Sequence, residues 1–105
     1  MDELEKSLLA IQRVRTDMPD VANAYLNYTS KVKGGAALSA KQSRLTMIAI
    51  SLYAQCEMCI AMNVSEALEA GATKEEILES AMLAVSMGGG PKMMYMKFVY
   101  DALDV

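Results

Sequence analysis

Apolar residues recur at intervals of three and four along the chain, which is the spacing that collects them on one face of an α-helix. The first two of these stripes run Leu4, Leu8, Ile11, Val14 and then Val21, Tyr25, Tyr28, Val32. No stretch alternates between apolar and polar residues with a period of two between hairpin turns. The sequence therefore predicts an all-α fold.

Helix start and stop signals divide this pattern into six segments. Ser39 to Gln42 and Thr73 to Glu76 have the form of a capping box, with a hydroxyl at the cap and an amide or carboxylate three residues later. Gly34, Gly71 and the run 88–91 (GGGP) are suited to ending helices. The first, fourth and sixth predicted helices span residues 2–16, 57–70 and 92–103. The second has Pro19 in its first turn and ends at Gly34, the third begins at the Ser39 box and continues to Tyr53, and the fifth begins at the Thr73 box and continues through Val85.

Length and composition predict one domain that assembles with copies of itself. The chain has 105 residues, of which 53% are hydrophobic, so we expect a single domain over residues 1–105 with its own core. The third and sixth predicted helices are apolar around most of their circumference, and the chain contains ten methionines. A chain of this size cannot bury both helices alone, so we expect a homo-oligomer.

The charge pattern argues against several kinds of partner. Ten basic residues are scattered among thirteen acidic ones, for a formal net charge of −3, so neither nucleic acid nor an anionic membrane surface is expected to bind. The charged N-terminal segment MDELEKSLLAIQRVR has no apolar core of the kind that a secretory signal needs, and no apolar run is long enough to span a bilayer. A cytoplasmic location is therefore the expectation.

Cys56 and Cys59 are the only cysteines, and the chain has no histidine. Two cysteines three residues apart lie on one face of a helix, and at a helix N-terminus they are close enough to form a disulfide. Backbone N–H groups there lower the pKa of a thiol, so one cysteine can attack a disulfide and the other can resolve the product. Two alternatives remain: small buried apolar side chains, or a metal site completed by a partner subunit, since structural zinc needs four ligands.

Three further side chains are candidates for supporting roles near this pair. Asn63 lies four residues after Cys59 and can hydrogen-bond to a sulfur or a bridging water, and Glu66 reaches the same face one turn later. Tyr53 precedes Cys56 by three residues and can donate a hydrogen bond near the thiols or simply fill the core. The absence of histidine excludes Ser-His-Asp and Cys-His mechanisms. We expect no cofactor other than an external thiol reductant.

The segments LSAKQSRL, CEMCIAMN, SEALEAGATKEEILES and GGGPKMMY, between Leu38 and about Leu103, together resemble the carboxymuconolactone decarboxylase and alkylhydroperoxidase AhpD-like family. The resemblance implies a helical fold of about six helices that forms trimers or hexamers, with the cysteine pair near subunit contacts as a reducible disulfide. It also implies that Cys59 is the partly buried, peroxide-attacking thiol. Cys56 would then be the more exposed thiol, which exchanges with a reductant.

Two positions depart from the redox branch of that family. Asn63 stands where the branch has a histidine four residues after the second cysteine, and Arg44 stands where it has a glutamate twelve residues before the first. Those two groups form the proton relay of the family, so its peroxidase mechanism does not carry over intact. Arg44 is instead placed to stabilise a thiolate by its positive charge. The decarboxylase branch is disfavoured because it lacks the C-x-x-C pair.

The sequence therefore predicts a thiol-disulfide oxidoreductase that cycles Cys56 and Cys59 between dithiol and disulfide. The expected substrate is a disulfide, with a peroxide second, and the expected reductant is a thioredoxin-like protein or a low-molecular-weight thiol. The alternative is a non-catalytic oligomeric module, which would have unreactive cysteines.

Overall fold

The chain folds into helices joined by short turns. The structure, a computed structural model, describes residues 2–104 apart from the side chains of Glu3 and Leu4, so the predicted place of Leu4 in the first stripe lies outside the described side chains. The helices are α1 (Glu3–Asp17), α2 (Pro19–Lys33), α3 (Ala40–Tyr53), α4 (Glu57–Glu69), α5 (Lys74–Gly88), α6 (Gly90–Met93) and α7 (Met96–Leu103). The described residues include no strand, which confirms the all-α prediction.

The capping boxes that define two helix starts are confirmed. The Ser39 hydroxyl accepts from the Gln42 backbone N–H at 3.1 Å, and the Gln42 side chain accepts from the Ser39 N–H at 2.9 Å. Thr73 and Glu76 make the same reciprocal pair at 3.1 and 2.8 Å. Each box satisfies backbone donors that have no partner within the helix, which fixes where α3 and α5 begin.

The prediction of one continuous helix over residues 92–103 is wrong. The structure places a four-residue α6 before α7 and a turn at Met94 and Tyr95 between them. There the Tyr95 N–H bonds to the Lys92 carbonyl and the Phe98 N–H to the Tyr95 carbonyl, each at 3.0 Å. These bonds span three residues instead of four, so the chain tightens and the α-helical ladder is interrupted.

The chain forms two compact units, Met1–Gly35 and Ala36–Val105, whose outermost residues Met1 and Val105 lie outside the described range. In the first unit α1 and α2 contact each other. Because the division concerns compactness only, the single domain over residues 1–105 stays a prediction.

The core of the second unit lies among α3, α4, α5 and α7. Its largest fully buried side chains are Ile48, Leu52, Ile60, Val64, Ile77 and Val99. Two polar contacts join α3 to α5: the Ser80 hydroxyl donates to the Leu45 carbonyl at 2.5 Å, and Lys41 pairs with Glu76 at 3.0 Å. These helices form the framework on which the cysteine pair is presented.

The second unit also exposes large apolar side chains, including Ile50, Leu83, Met87 and Met94. Assembly into a homo-oligomer stays a prediction, because the structure of one chain shows that these side chains are exposed but does not show a partner surface. Within residues 2–104, none of the helices combines the length and the apolar character that crossing a bilayer requires.

Candidate functional site

Cys56 and Cys59 form a disulfide at the junction of α3 and α4, with their Cα atoms 5.3 Å apart. Cys56 occupies the N-cap position of α4, and Cys59 lies in its first turn. Cys56 is half-buried and Cys59 is exposed. The disulfide thus lies at the start of α4, and Cys59 is the more exposed of its two residues.

This order of exposure corrects the expectation drawn from the family resemblance, which made Cys59 the buried sulfur and Cys56 the exposed one. The backbone explains the reversal. The Cys56 N–H donates to the Ser51 carbonyl at 3.1 Å, which draws this residue in against the end of α3. Cys59 has no such anchor to α3, because its N–H bonds to the Cys56 sulfur instead.

The turn before Cys56 is a Schellman motif that closes α3. Besides the bond from Cys56 to Ser51, the Gln55 N–H donates to the Leu52 carbonyl at 3.0 Å, and Gln55 has a left-handed φ of 57°. The end of α4 has the same two bonds, but there the left-handed residue is Gly71, with a φ of 92°. A side chain in this conformation costs about 1–2 kcal/mol relative to the right-handed one. Gln55 is therefore held in a left-handed conformation although a residue with a side chain prefers a right-handed one.

The Cys56 sulfur caps α4. It accepts a hydrogen bond from the Cys59 backbone N–H at 3.2 Å, in the manner of a Ser or Asp side chain at an N-cap. Unpaired N–H groups and the helix dipole favour negative charge at this point. A backbone donor is therefore in place where a Cys56 thiolate would form when the disulfide is reduced.

Asn63 lies on α4 four residues after Cys59, but its hydrogen bonds do not go to a sulfur. Its amide donates to the Ser51 hydroxyl at 2.6 Å and approaches the Met47 carbonyl at 3.5 Å. Ser51 in turn donates to the same Met47 carbonyl at 2.7 Å, and both Asn63 and Ser51 are buried. Because the Ser51 carbonyl also accepts from Cys56, Ser51 links the buried amide to the cysteine turn.

Arg44 and Glu66 are brought together across α3 and α4. The Arg44 Nε and Glu66 Oε2 atoms are 3.2 Å apart, at ion-pair distance but without the alignment of a hydrogen bond. Glu66 follows Cys59 by seven residues, which is roughly 10 Å along a helix axis. The charge of Arg44 is thus paired with a carboxylate two helical turns along α4 from Cys59. The predicted role of Arg44 beside a thiolate stays a prediction.

Tyr53 contacts a lysine that the sequence did not single out. Its ring, which is 49% exposed, lies under the Lys92 ammonium at 4.6 Å from the ring centre. The same ammonium donates to the side-chain oxygen of Gln55 at 2.8 Å. Among the described residues, the contact that Tyr53 makes is with Lys92 and not with either sulfur, so its predicted role as a hydrogen-bond donor to the thiols stays a prediction.

Sequence reasoning missed Ser51, Gln55 and Lys92. The position of Lys92 directly after the GGGP run was visible, but nothing in the sequence indicates which turn its side chain reaches. Within residues 2–104 the structure has no group of three or more side chains of the types that hold a metal ion.

Comparison with known proteins gives a consistent result. The sequence profile of the carboxymuconolactone decarboxylase family matches residues 19–102. An uncharacterized protein of Cupriavidus necator is 29% identical over 89 residues, covering 82% of this chain and 79% of that protein. Uncharacterized protein 4 in the cox locus of Paracoccus denitrificans is 29% identical over 84 residues, covering 80% and 76%.

Two solved structures resemble this chain. The crystal structure of apo-lpg0406, a carboxymuconolactone decarboxylase family protein from Legionella pneumophila, superposes with a TM-score of 0.87 at 28% identity, covering 95% of this chain and 89% of that one. A structural-genomics protein from Methanobacterium thermoautotrophicum superposes with a TM-score of 0.68 at 28% identity, covering 81% and 96%.

Proposed function

The chain belongs to the carboxymuconolactone decarboxylase family, and from this premise we propose that it is a thiol-disulfide oxidoreductase whose Cys56 and Cys59 cycle between dithiol and disulfide. The observation that carries the proposal is the disulfide at the start of α4, with Cys59 an exposed residue and the Cys56 sulfur receiving a backbone hydrogen bond. An exposed sulfur can be attacked, and a stabilised thiolate is a good leaving group. The two cysteines thus have complementary properties.

The reductive half of the cycle begins at the exposed sulfur. A reductant thiolate attacks Cys59 Sγ, the bond between the two cysteine sulfurs breaks, and Cys56 leaves as a thiolate that the Cys59 N–H stabilises. A second reductant thiolate then attacks the reductant sulfur of the mixed disulfide and releases the Cys59 thiolate. Two reductant thiols have become one disulfide, and two electrons have passed to the protein.

The oxidative half reduces the substrate. The Cys59 thiolate attacks a substrate disulfide, forming a mixed disulfide and expelling one substrate thiolate, which takes a proton from water. The Cys56 thiolate then attacks Cys59 Sγ, expels the second substrate thiolate and restores the Cys56–Cys59 disulfide. No step needs a general acid other than water, which suits a site whose buried polar neighbour is the neutral Asn63 amide.

The proposed function also includes a reductant, an oligomeric state and a cellular location. The reductant is a low-molecular-weight thiol or a thioredoxin-like protein, and the working form is a cytoplasmic homo-oligomer, a trimer or a hexamer. The exposed apolar side chains of the second unit support assembly, because scattered single apolar residues are ordinary but many large ones are not. No further cofactor is part of the mechanism.

A turnover assay tests the function. The wild-type protein should reduce an aromatic disulfide such as dithionitrobenzoate or a mixed glutathione disulfide when dithiothreitol is supplied, above the rate of dithiothreitol alone. Cys59→Ser should abolish turnover. Reduced Cys56→Ser, mixed with the substrate disulfide after dithiothreitol has been removed, should stop at a mixed disulfide on Cys59 that mass spectrometry detects. If both variants match wild type, the pair is not the active site.

The same assay with a hydroperoxide separates disulfide reduction from peroxide reduction. Breaking the O–O bond expels an alkoxide or hydroxide, which requires a proton donor that a neutral amide does not replace. We therefore expect peroxide turnover to be much slower than disulfide turnover. Faster turnover of peroxide would reverse the substrate assignment, and no turnover of either would favour the non-catalytic module.

A further inference from the structure

We propose that Lys92 is a positioning residue for the cysteine pair: it holds the left-handed Gln55 turn in place and so favours closure of the disulfide. The inference rests on the proposed function and extends it to a residue that makes no contact with substrate. Three independent observations carry it: the contacts of the Lys92 ammonium, the packing of its stem on a glycine, and the conformation of Gln55.

The Lys92 ammonium makes two contacts at the end of α3. It donates to the Gln55 Oε1 atom at 2.8 Å and lies 4.6 Å from the centre of the Tyr53 ring. Tyr53 is the last residue of α3, and Gln55 immediately precedes Cys56. Hydrogen bonding and cation–π attraction therefore both draw the lysine to the segment that presents Cys56.

The stem of Lys92 packs against the end of α5, where only glycine leaves room for it. A Cβ atom at Gly88 would meet Cγ of Lys92, and it would lie 3.0 Å from Cε and 3.1 Å from Cδ. Cγ is near the root of the side chain, so a small rotation at the tip of the lysine cannot relieve the clash. The absence of a side chain at Gly88 therefore allows the lysine to extend toward the cysteine turn. Gly90 makes no such contact, because a Cβ atom there would meet nothing within 4 Å.

The left-handed conformation of Gln55 requires stabilisation by neighbouring groups. The equivalent position at the end of α4 is Gly71, which adopts a positive φ at no steric cost, whereas Gln55 adopts a φ of 57° with a side chain. The Gln55 side chain is also the group that Lys92 binds. In the reduced protein the disulfide no longer restrains this turn, so the contact with Lys92 keeps Cys56 near Cys59 and lowers the entropic cost of reclosing the bond.

The test is the equilibrium between reduced protein with oxidised glutathione and disulfide protein with two molecules of reduced glutathione. Lys92→Met should lower the equilibrium constant for disulfide formation by about two- to tenfold, the range expected for one lost hydrogen bond. The matched control is Lys97→Met, because Lys97 also lies over an aromatic ring, that of Phe98 at 5.0 Å, but does not contact the cysteine turn. Lys92→Arg keeps the donor and should restore the wild-type constant.

The glycines provide a second comparison that leaves the lysine itself unchanged. Gly88→Ala should also lower the equilibrium constant for disulfide formation, because the added Cβ displaces the lysine stem. Helix propensity alone would not predict this loss, since alanine is a better helix former than glycine. Gly90→Ala should leave the equilibrium constant at the wild-type value. Gln55→Ala should lower the equilibrium constant for disulfide formation as much as Lys92→Met does. The double variant should have the same constant as either single variant, because the two residues act through one contact.

Two results would overturn the inference. If Lys92→Met and Lys97→Met lower only the free energy of unfolding and leave the glutathione equilibrium unchanged, Lys92 has a structural role alone. If Lys92→Met instead raises the equilibrium constant for disulfide formation at about pH 8.5 and leaves it unchanged at about pH 6, where thiols are protonated, Lys92 stabilises thiolate charge and does not hold the turn. A wild-type protein that forms no disulfide with glutathione would instead contradict the proposed function itself.

Discussion

Among individual residues, Ser51 connects the buried interior to the disulfide. Its carbonyl accepts from the Cys56 N–H, and its hydroxyl accepts from the Asn63 amide. Spacing alone predicted that Asn63 shares a helix face with Cys59, and the family resemblance implied that Asn63 stands where the redox branch has a histidine. The sequence could not identify Ser51 as the partner, because that contact depends on how α3 and α4 pack.

Asn63→Ala should lower the free energy of unfolding by about 1–3 kcal/mol, since it removes a buried hydrogen bond and leaves a small cavity. Urea denaturation of the oxidised protein measures the change. Ser65→Ala, which alters an exposed serine in the same helix, is the control and should change stability by less than about 0.5 kcal/mol. A loss from Asn63→Ala no larger than that of the control would mean that the buried amide contributes nothing to the fold.

Arg44→Met tests whether the arginine serves the fold or the thiols. Because Arg44 pairs with a partly exposed Glu66, we expect a loss of about 0.5–1 kcal/mol in urea denaturation. An unchanged pH dependence of thiol alkylation would mean that the arginine serves the fold alone and would contradict its predicted role beside a thiolate. A Glu66→Gln variant and the double variant complete the cycle and give the energy of the pair. If alkylation of the reduced Arg44→Met protein shifts to higher pH, the arginine does stabilise a thiolate.

Among the helices, those with a chemical start signal were predicted best. Both capping boxes were readable because a hydroxyl and its reciprocal partner stand three residues apart. The positive φ of Gln55 was not readable, since glutamine has no preference for that conformation. The turn between α6 and α7 was missed because its residues, Met94 and Tyr95, continue the apolar pattern of a helix.

Glu76 makes the start of α5 sensitive to acid. The backbone N–H of Thr73 and then the Lys41 ammonium favour the charged carboxylate, which holds the pKa of Glu76 below its ordinary value of 4.5. A carboxyl whose pKa is lowered on folding contributes stability that is complete above the ordinary value. That contribution is lost as the pH falls through the lowered pKa. Part of the acid destabilisation of the protein is therefore assigned to this one residue.

Glu76→Gln should flatten the loss of stability between about pH 5 and about pH 3, because the amide still accepts from Thr73 but does not titrate. Urea midpoints measured across this range are the readout. Glu75→Gln, which changes the neighbouring first-turn carboxylate outside the capping box, is the control and should retain the wild-type slope there. Equal slopes for wild type and Glu76→Gln would contradict the assignment.

For the whole molecule, the helical class followed from the spacing of apolar residues, whereas the number of compact units did not. The stripes of α1 and α2 resemble those of the later helices, so nothing in the pattern distinguished Met1–Gly35 from the rest. Assembly was predicted from excess apolar surface, and the exposed side chains of the second unit keep that prediction open. Subunit contacts cannot be read from one chain.

Light scattering with size exclusion tests assembly. The wild-type protein should elute as a multiple of its 11.4 kDa chain. Leu83 and Met87, which are 64% and 82% exposed, lie one turn apart on α5, so the double variant Leu83→Glu with Met87→Glu should reduce the mass toward that of one chain. Lys74→Glu on the same helix controls for added negative charge. A monomeric wild-type protein would contradict the prediction.

Titration of the folded protein in dithiothreitol buffers, with thiols trapped by iodoacetamide for mass spectrometry, shows whether Cys56 and Cys59 are a redox pair. We expect one reversible two-electron transition. The protein should carry two modified cysteines when reduced and none when oxidised, with unchanged helical circular dichroism. A pair that stays alkylated in every buffer, or that is reduced only when the protein unfolds, would contradict this expectation.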